Sequence, residues 1–135
     1  MMISSKGRYA LRVMIDLAEH QTDGYIPLQT IAARQGISEK YLESILAVLS
    51  KARLLDALRG KGGGYRLARA PQAYTAFEIL SLTEGTLAPV TCLGTQQQCQ
   101  NATHCRTLPL WQGLDAVIAD YLGRYTLADL AKPTP

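Results

Sequence analysis

The sequence contains no long hydrophobic run. No stretch approaches the roughly 18 consecutive apolar residues of a membrane-spanning helix, and residues 1–9 lack the charged-then-apolar order of a secretory signal. These absences argue against a membrane protein, and we expect a cytoplasmic one. Of the 135 residues, 47% are hydrophobic and 19% are charged, so the chain suits one globular domain with a true core and one appendage.

Cysteine is scarce and unevenly placed. All three cysteines, Cys92, Cys99 and Cys105, lie in one polar segment. An odd number of cysteines in a reducing compartment argues against a disulfide framework. Thiolates are preferred ligands of iron-sulfur clusters and structural zinc, so the segment predicts a cluster site, with zinc or three unligated thiols as alternatives. The segment holds no aspartate or glutamate that could act as a general base, which argues against a metal-dependent enzyme.

Positive charge is concentrated in the first half of the chain. Residues 1–70 carry 11 Lys and Arg against 6 Asp and Glu, a net charge of +5, whereas residues 71–135 carry 3 against 5, a net charge of −2. A basic half of this kind suits a polyanionic partner such as nucleic acid.

Apolar residues recur at helical spacing in three segments of the basic half. A first helix follows a cap at Ser4 or Ser5 and ends near His20, which we expect to cap the carboxyl end. A second helix over 27–35 stops at Gly36, and a third, over 38–52, begins at a serine that can cap it. Two short helices joined by a tight turn predict a helix-turn-helix, with 38–52 as the recognition helix.

A glycine-rich segment follows the third helix. It lies between two short apolar runs within residues 54–67, a pattern that predicts a β-hairpin with a sharply folded tip, or wing. Arg59, Lys61 and Arg66 could supply positive charge to phosphates or to a minor groove. A nucleotide-binding loop is excluded, because the segment precedes a strand and lacks the Gly-Lys-Ser/Thr ending.

The last third of the chain predicts further helices. Capping-box patterns begin at Thr75 and Thr126. Between them, a helix from about Pro109 carries more large apolar residues than a helix lying alone on a small domain needs. We therefore expect it to pack against the same helix of a second copy.

These elements define the predicted architecture. The fold class is mainly α with a small β-hairpin wing, a winged helix-turn-helix domain with a long C-terminal dimerisation helix. Residues 1–84 form the DNA-binding domain, with the wing at 54–67. Residues 85–107 form the cysteine-containing sensor loop, and residues 108–135 form the dimerisation helix and tail.

Motifs at residues 5–10, 31–38, 41–43 and 59–65 resemble those of the IscR/NsrR family of bacterial dimeric winged-helix regulators, and the likeness runs from residue 3 to about residue 131. The resemblance implies a homodimer that holds double-stranded DNA, at a palindromic operator, through the recognition helix and the wing. It also implies an iron-sulfur cluster on the three cysteines, either 2Fe-2S or 4Fe-4S, of which we favour 2Fe-2S. The alternative is a cluster-free regulator of the same fold, of the type that senses cysteine availability through a partner.

The resemblance leaves the fourth cluster ligand open. In the cluster regulator a histidine three residues beyond the third cysteine has this role, and here that position is Leu108. In nitric-oxide-sensing relatives an acidic residue near the start of the partner's first helix serves instead, and here that position is Arg8. His104, beside Cys105, is the metal-ligand candidate within the segment, with an exposed loop histidine as the alternative. A group from the partner subunit is the other candidate for the fourth ligand.

Seven residues are the candidate DNA contacts. Glu43 could accept a hydrogen bond from cytosine, and Lys40 and Ser38 could reach a base edge or a phosphate. Solvated surface is the alternative for each of these three. Arg59 opens the wing and is the foremost candidate for a backbone contact. The full set is Ser38, Lys40, Tyr41, Glu43, Arg59, Lys61 and Arg66.

Overall fold

The computed structural model describes residues 3–94 and 104–132. In those ranges the elements are, in chain order, α1 (Ser5–Glu19), α2 (Leu28–Gln35), α3 (Glu39–Lys51), β1 (Leu55–Leu58), β2 (Gly64–Leu67), a 3-10 turn (Pro71–Ala73), α4 (Ala76–Glu84), α5 (Thr91–Gly94), α6 (Leu108–Gly123) and α7 (Leu127–Leu130). The predicted fold class, mainly helical with one small hairpin, is confirmed. Among these elements, no helix is both long and apolar enough to cross a bilayer.

Helix α1 lies at the centre of the core. Its first turn is capped by Ser4, whose Oγ accepts a hydrogen bond from the main-chain N–H of Gly7 at 3.1 Å. At the other end His20 is the C-cap, and its ring Nδ1 lies 2.8 Å from the main-chain oxygen of Asp16. Both caps agree with the sequence pattern. The inward stripe of α1 is fully buried and consists of Ala10, Val13, Met14 and Leu17.

Helices α2 and α3 form the predicted helix-turn-helix. Gly36 ends α2 in the left-handed conformation, with φ of 66°, which glycine adopts without strain. Pro27 is the N-cap of α2 rather than a residue of its first turn. Ser38 caps α3 as predicted. The buried stripe of α3 consists of Leu42, Ile45, Leu46 and Leu49.

A tight turn joins α3 to the wing. The N–H of Arg53 donates to the oxygen of Ser50, and the N–H of Leu54 donates to the oxygen of Leu49, both at 3.0 Å. This pair of bonds is the Schellman pattern, whose left-handed position usually holds glycine. Here it holds Arg53, with φ of 63°. A side chain in this conformation costs about 1 kcal/mol or more of backbone strain.

The chain returns to the core after α6. Thr75 and Thr126 form an antiparallel bridge, and the N–H of Ala76 donates to the oxygen of Tyr125 at 2.9 Å. Leu127, which follows Thr126, is fully buried in the same core as α1. The division of the chain at residues 84 and 107 stays a prediction, but the segment after α6 is tied to the helical core.

The two predicted capping boxes have different outcomes. Thr126 and Asp129 each bond to the other's main-chain N–H, so the box at α7 is complete. At α4 the side chain of Thr75 caps the helix, but the carboxylate of Glu78 accepts a hydrogen bond from Arg69 at 3.0 Å. Glu78 therefore forms a tertiary ion pair with Arg69 and not the capping-box bond that the local pattern predicted.

Candidate nucleic-acid interface and thiol site

The outward face of α3 carries the first group of predicted DNA contacts. Lys40 and Glu43 are exposed. Ser38 is exposed too, but its Oγ accepts a hydrogen bond from the N–H of Tyr41 at 3.1 Å. Its hydroxyl hydrogen is still available to a phosphate oxygen, since capping uses only a lone pair. These positions agree with a helix that buries one face in the core and leaves the opposite face open to solvent.

Tyr41 belongs to an aromatic cluster that the sequence did not indicate. Its ring packs edge-on against the ring of Tyr9 at 5.8 Å between centroids. The guanidinium of Arg12 lies 4.9 Å above the Tyr9 ring, and its Nε donates to the side-chain oxygen of Gln35 at 3.0 Å. The cluster joins α1 to the start of α3. Tyr9 and Arg12 lie three residues apart on α1, and that spacing was the only local signal.

The wing forms as predicted, with β1 and β2 antiparallel and Leu58 opposite Gly64. Gly64 has φ of 151°, and a Cβ there would lie 2.1 Å from the main-chain oxygen of Ile26. Ile26 approaches so closely because it exchanges two main-chain hydrogen bonds with Tyr65, at 2.8 and 2.9 Å. Glycine at 64 therefore lets the wing lie against the segment before α2.

The three predicted wing cations lie in different surroundings. Arg59 and Lys61 are exposed at the tip. Arg66 is held lower on β2, where its guanidinium stacks 4.5 Å above the ring of Tyr25 and its Nε lies 3.7 Å from a carboxylate oxygen of Asp56. Pairing with Asp56 partly offsets the positive charge that Arg66 presents to a phosphate, whereas stacking on Tyr25 leaves that charge unchanged and fixes its position.

A groove of about 590 Å³ lies between α3 and the wing. Its α3 wall includes Glu43 and Ala47, one helical turn apart, and its wing wall includes Leu58 and Arg59. Leu58 is 47% exposed in spite of its apolar side chain. Recognition-helix side chains and a wing cation thus face a common open surface, which is the arrangement that a duplex would need.

Asp16 holds the helix-turn-helix against α1. Its side chain is 2% exposed. It accepts hydrogen bonds from Nε of Arg34 at 3.0 Å and Nη2 at 2.6 Å, and from Nε2 of Gln35 at 2.8 Å. Burial, the largest single influence, raises the pKa of Asp16, but the hydrogen bonds of Arg34 and Gln35 and the charges of Arg34 and His20 together hold it below its ordinary value. The sequence signal was an aspartate on the buried stripe of α1, three residues after Val13.

The thiol site is described in part. Cys92 lies on α5 and Cys105 precedes α6, and both are half-buried free thiols. Cys99 lies outside the described residues. The Sγ of Cys105 is 3.3 Å from Oγ1 of Thr107. That hydrogen bond, with the main-chain N–H groups of Thr107 and Leu108, lowers the pKa of Cys105 and so favours the thiolate that a metal binds.

The candidates for a fourth ligand are not assembled. His104 is exposed beside Cys105. Leu108 begins α6, and Arg8 on α1 donates to Oγ of Ser5 at 3.2 Å. Within residues 3–94 and 104–132, no three His, Cys, Asp or Glu side chains come together as a metal site. The chemistry of the three thiols nevertheless fits an iron-sulfur cluster.

One face of α6 is apolar and open to solvent. The helix has no fully buried residue among those described. Its exposed large side chains recur at three- and four-residue spacing, so they form one stripe. The stripe and its exposures are Leu110 at 62%, Leu114 at 41%, Val117 at 63%, Tyr121 at 54% and, just beyond the helix, Tyr125 at 39%.

Comparison with known proteins places this arrangement among regulators. Residues 3–133 match the Rrf2 family, which is described as an iron-dependent transcriptional regulator. The HTH-type transcriptional regulator IscR of Vibrio campbellii is 39% identical over 132 residues, which is 98% of this chain and 78% of that protein.

Two solved structures are similar to the whole arrangement. The structure of CymR, the global cysteine regulator of B. subtilis, superposes with a TM-score of 0.80 at 36% identity, covering 100% of this chain and 99% of that one. IscR of T. potens superposes with a TM-score of 0.73 at 35% identity, covering 96% of this chain and 85% of that one.

Proposed function

We propose, from the membership of this chain in the Rrf2 family of transcriptional regulators, that it is a homodimer that binds a palindromic operator. Regulators of this family are DNA-binding proteins and not enzymes. In the proposal, a change at the cysteine segment switches the affinity for the operator. The observation that carries the proposal is the groove in which the outward face of α3 and the wing residue Arg59 face the same side of the molecule.

The proposed docking follows from the shapes of the two elements. Helix α3 would enter the major groove with Ser38, Lys40, Tyr41 and Glu43 leading. The wing would lie over the adjacent backbone or minor groove, with Arg59 and Lys61 at its tip and Arg66 at its base. Phosphate contacts would supply most of the affinity, and Glu43 and Lys40 would contribute base readout.

The apolar stripe of α6 supports the homodimer. Five large side chains are between 39% and 63% exposed in the single chain, and a second copy of the same helix would remove them from water. A twofold dimer would place its two α3 helices in successive major grooves, about 34 Å apart. The operator would then be a palindrome with half-sites about one turn apart.

The proposed switch is an iron-sulfur cluster held by Cys92, Cys99 and Cys105, 2Fe-2S rather than 4Fe-4S. A bound cluster would supply a group sensitive to redox state and to iron supply. The hydrogen bond from Thr107 already favours the thiolate of Cys105. His104 is the nearest additional ligand candidate, and a group from the partner subunit is the other. Differential affinity of about 1–3 kcal/mol between two states would change operator occupancy 5- to 150-fold.

A cluster-free regulator is the second candidate. Two observations favour it: the solved structure with a TM-score of 0.80 is that of a global cysteine regulator, and Leu108 and Arg8 occupy the positions at which the resemblance supplies a fourth ligand. In this case a partner protein or a metabolite would set the operator affinity.

Replacement of Arg59 by Ala tests the DNA interface. Affinity for a duplex that the wild-type chain selects from a random pool should fall, and the slope of log affinity against log salt should decrease by about 1, because one phosphate contact is lost. Fluorescence anisotropy across a salt series measures both quantities, and sedimentation gives the oligomeric state.

Lys132→Ala is the matched control, since this lysine is exposed and lies 3.7 Å from Asp129, away from the groove. It removes the same charge from the protein as a whole. Equal effects of the two substitutions would show that Arg59 acts only through net charge. A wild-type chain that is monomeric and binds no duplex at low salt would overturn the proposed function.

A further inference from the structure

Tyr74 closes the base of the wing from within the core. The residue is fully buried. Its hydroxyl donates to the main-chain oxygen of Leu54 at 2.6 Å and accepts from the main-chain N–H of Arg69 at 2.9 Å. Leu54 directly precedes β1, and Arg69 lies two residues beyond β2. One hydroxyl therefore fixes both strands of the hairpin at the point where they leave the core.

The same residue is also bonded to the segment that follows α6. The main-chain oxygen of Tyr74 accepts from the N–H of Leu127 at 3.0 Å. The neighbouring bridge between Thr75 and Thr126 extends this connection. Tyr74 thus contacts the wing through its side chain and the segment after the proposed dimerisation helix through its main chain.

The surroundings of the hydroxyl keep its geometry fixed. Burial is the main cause that raises the pKa of Tyr74 above its ordinary value, so the hydroxyl stays protonated and able to donate. The guanidinium of Arg69 lies 4.9 Å above the ring and is held there by an ion pair with Glu78 at 2.9 Å. A buried hydroxyl with both partners in place has little freedom to rearrange.

We propose that Tyr74 is a positioning residue for the wing, and that its hydroxyl sets the angle at which the hairpin presents Arg59 to DNA. The inference rests on the proposed function. A two-stranded hairpin has little stability of its own, so its direction depends on what holds it: Ile26 bonds to Tyr65 in the middle of β2, and Tyr74 holds the base of both strands. Arg59 lies five residues beyond Leu54, about 16 Å along an extended strand. A tilt of about 10° at the base then moves the tip by about 3 Å, the length of a whole hydrogen bond.

Tyr74→Phe tests the proposal because it removes one oxygen and leaves the ring. The amides of residues 55–67 should exchange with solvent faster, since the bonds of the Tyr74 hydroxyl to the base of both strands are lost. The dissociation constant for the selected duplex should rise about 2- to 12-fold, the range that corresponds to one hydrogen bond. In an Arg59→Ala background the same substitution should change the affinity less than it does in the wild type, because one of the wing contacts that it positions is already absent.

Thr75→Ala is the matched control. Its side chain caps α4 by accepting a hydrogen bond from the N–H of Glu78 at 3.1 Å. Loss of this side chain therefore destabilises α4, which adjoins Tyr74, and changes no contact of the wing. We expect unchanged exchange over residues 55–67 and unchanged affinity for this control.

Three results would overturn the role of Tyr74: equal affinity losses in Tyr74→Phe and Thr75→Ala, unchanged exchange in the wing of Tyr74→Phe, or an undiminished loss in the Arg59→Ala background. Failure of the proposed function would look different. If the wild-type chain binds no duplex, the proposed function fails and there is no DNA contact for Tyr74 to position. The exchange measurement would still report on whether Tyr74 anchors the hairpin.

Discussion

Asp16→Asn should destabilise the fold more than any surface charge change in this chain, and the reason lies in the geometry of its ion pair. The carboxylate binds two nitrogens of Arg34 and one of Gln35. An asparagine offers one oxygen and one NH₂ group in place of two oxygens. One of the buried donors would then meet another donor, and the charge of Arg34 would lose its counterion.

The expected magnitude follows from burial. Removal of one partner from a fully buried pair costs about 3–5 kcal/mol. The side chain of Arg34 is 31% exposed, so its charge stays partly hydrated and we expect the loss to be lower, about 2–3 kcal/mol. For a chain of this size each kcal/mol lowers Tm by about 3–5 °C. The melting temperature of Asp16→Asn should therefore be about 6–15 °C below that of the wild type.

Asp56→Asn is the matched control, because Asp56 is paired with Arg66 at 3.7 Å but both side chains are about half exposed. An exposed pair contributes about 0–1 kcal/mol. Thermal and urea unfolding at pH 7 measure both variants. Equal destabilisation of the two would refute the argument that burial makes the Asp16 pair matter.

The same pair predicts a pH dependence of stability. Because the folded-state pKa of Asp16 lies below its unfolded value, the contribution is present in full above the unfolded pKa, about pH 4, and is lost as pH falls through the folded pKa. The stability difference between wild type and Asp16→Asn should therefore be constant near neutrality and shrink below about pH 4. A difference that persists unchanged in acid would contradict the assigned ionisation.

Two further predictions concern the turn after α3 and the thiol site. Arg53→Gly should raise the free energy of unfolding by about 0.5–1 kcal/mol, because glycine removes the backbone strain at φ of 63° and loses part of that gain to its own chain entropy. The control is the neighbouring Ala52→Gly, at φ of −82°, which should lower the free energy of unfolding in the same assay. Anaerobically purified wild-type protein should absorb visible light and contain iron and sulfide, and Cys92→Ala should lose both, whereas a colourless wild type with normal operator binding would support the cluster-free candidate.

Local patterns were sufficient for the helices and the wing. Ser4, Ser38 and Gly36 signal helix ends through interactions within one turn, and the structure has a helix boundary at each. The glycine-rich tip predicted the hairpin because few other residues can fold it so sharply. The candidate DNA contacts on α3 could be named for the same reason, since helical periodicity separates the buried stripe from the outward face.

Local patterns were insufficient wherever a side chain is used by a distant element. Glu78 follows Thr75 at the spacing of a capping box, but it pairs with Arg69. Arg66 was predicted to supply charge to DNA, which stays a prediction, and no local signal indicated its stacking on Tyr25, which lies more than forty residues earlier. The residues that contact DNA and those that hold a cluster stay predictions, because these roles depend on the DNA and on the cluster as well as on the folded chain.

The sequence by itself determined where helices and strands form and that three thiols share one segment, because capping, periodicity and glycine placement act over a few neighbouring residues. Only the tertiary structure decided that Asp16 is the buried counterion of Arg34 and that Tyr74 joins the wing to the segment after α6. The bonds of Asp16 to Arg34, of Tyr74 to Leu54 and of Tyr74 to Leu127 link residues 18 to 53 positions apart. No local pattern encodes them, because their energy comes from burial and from hydrogen-bond partners that the folded chain alone brings together.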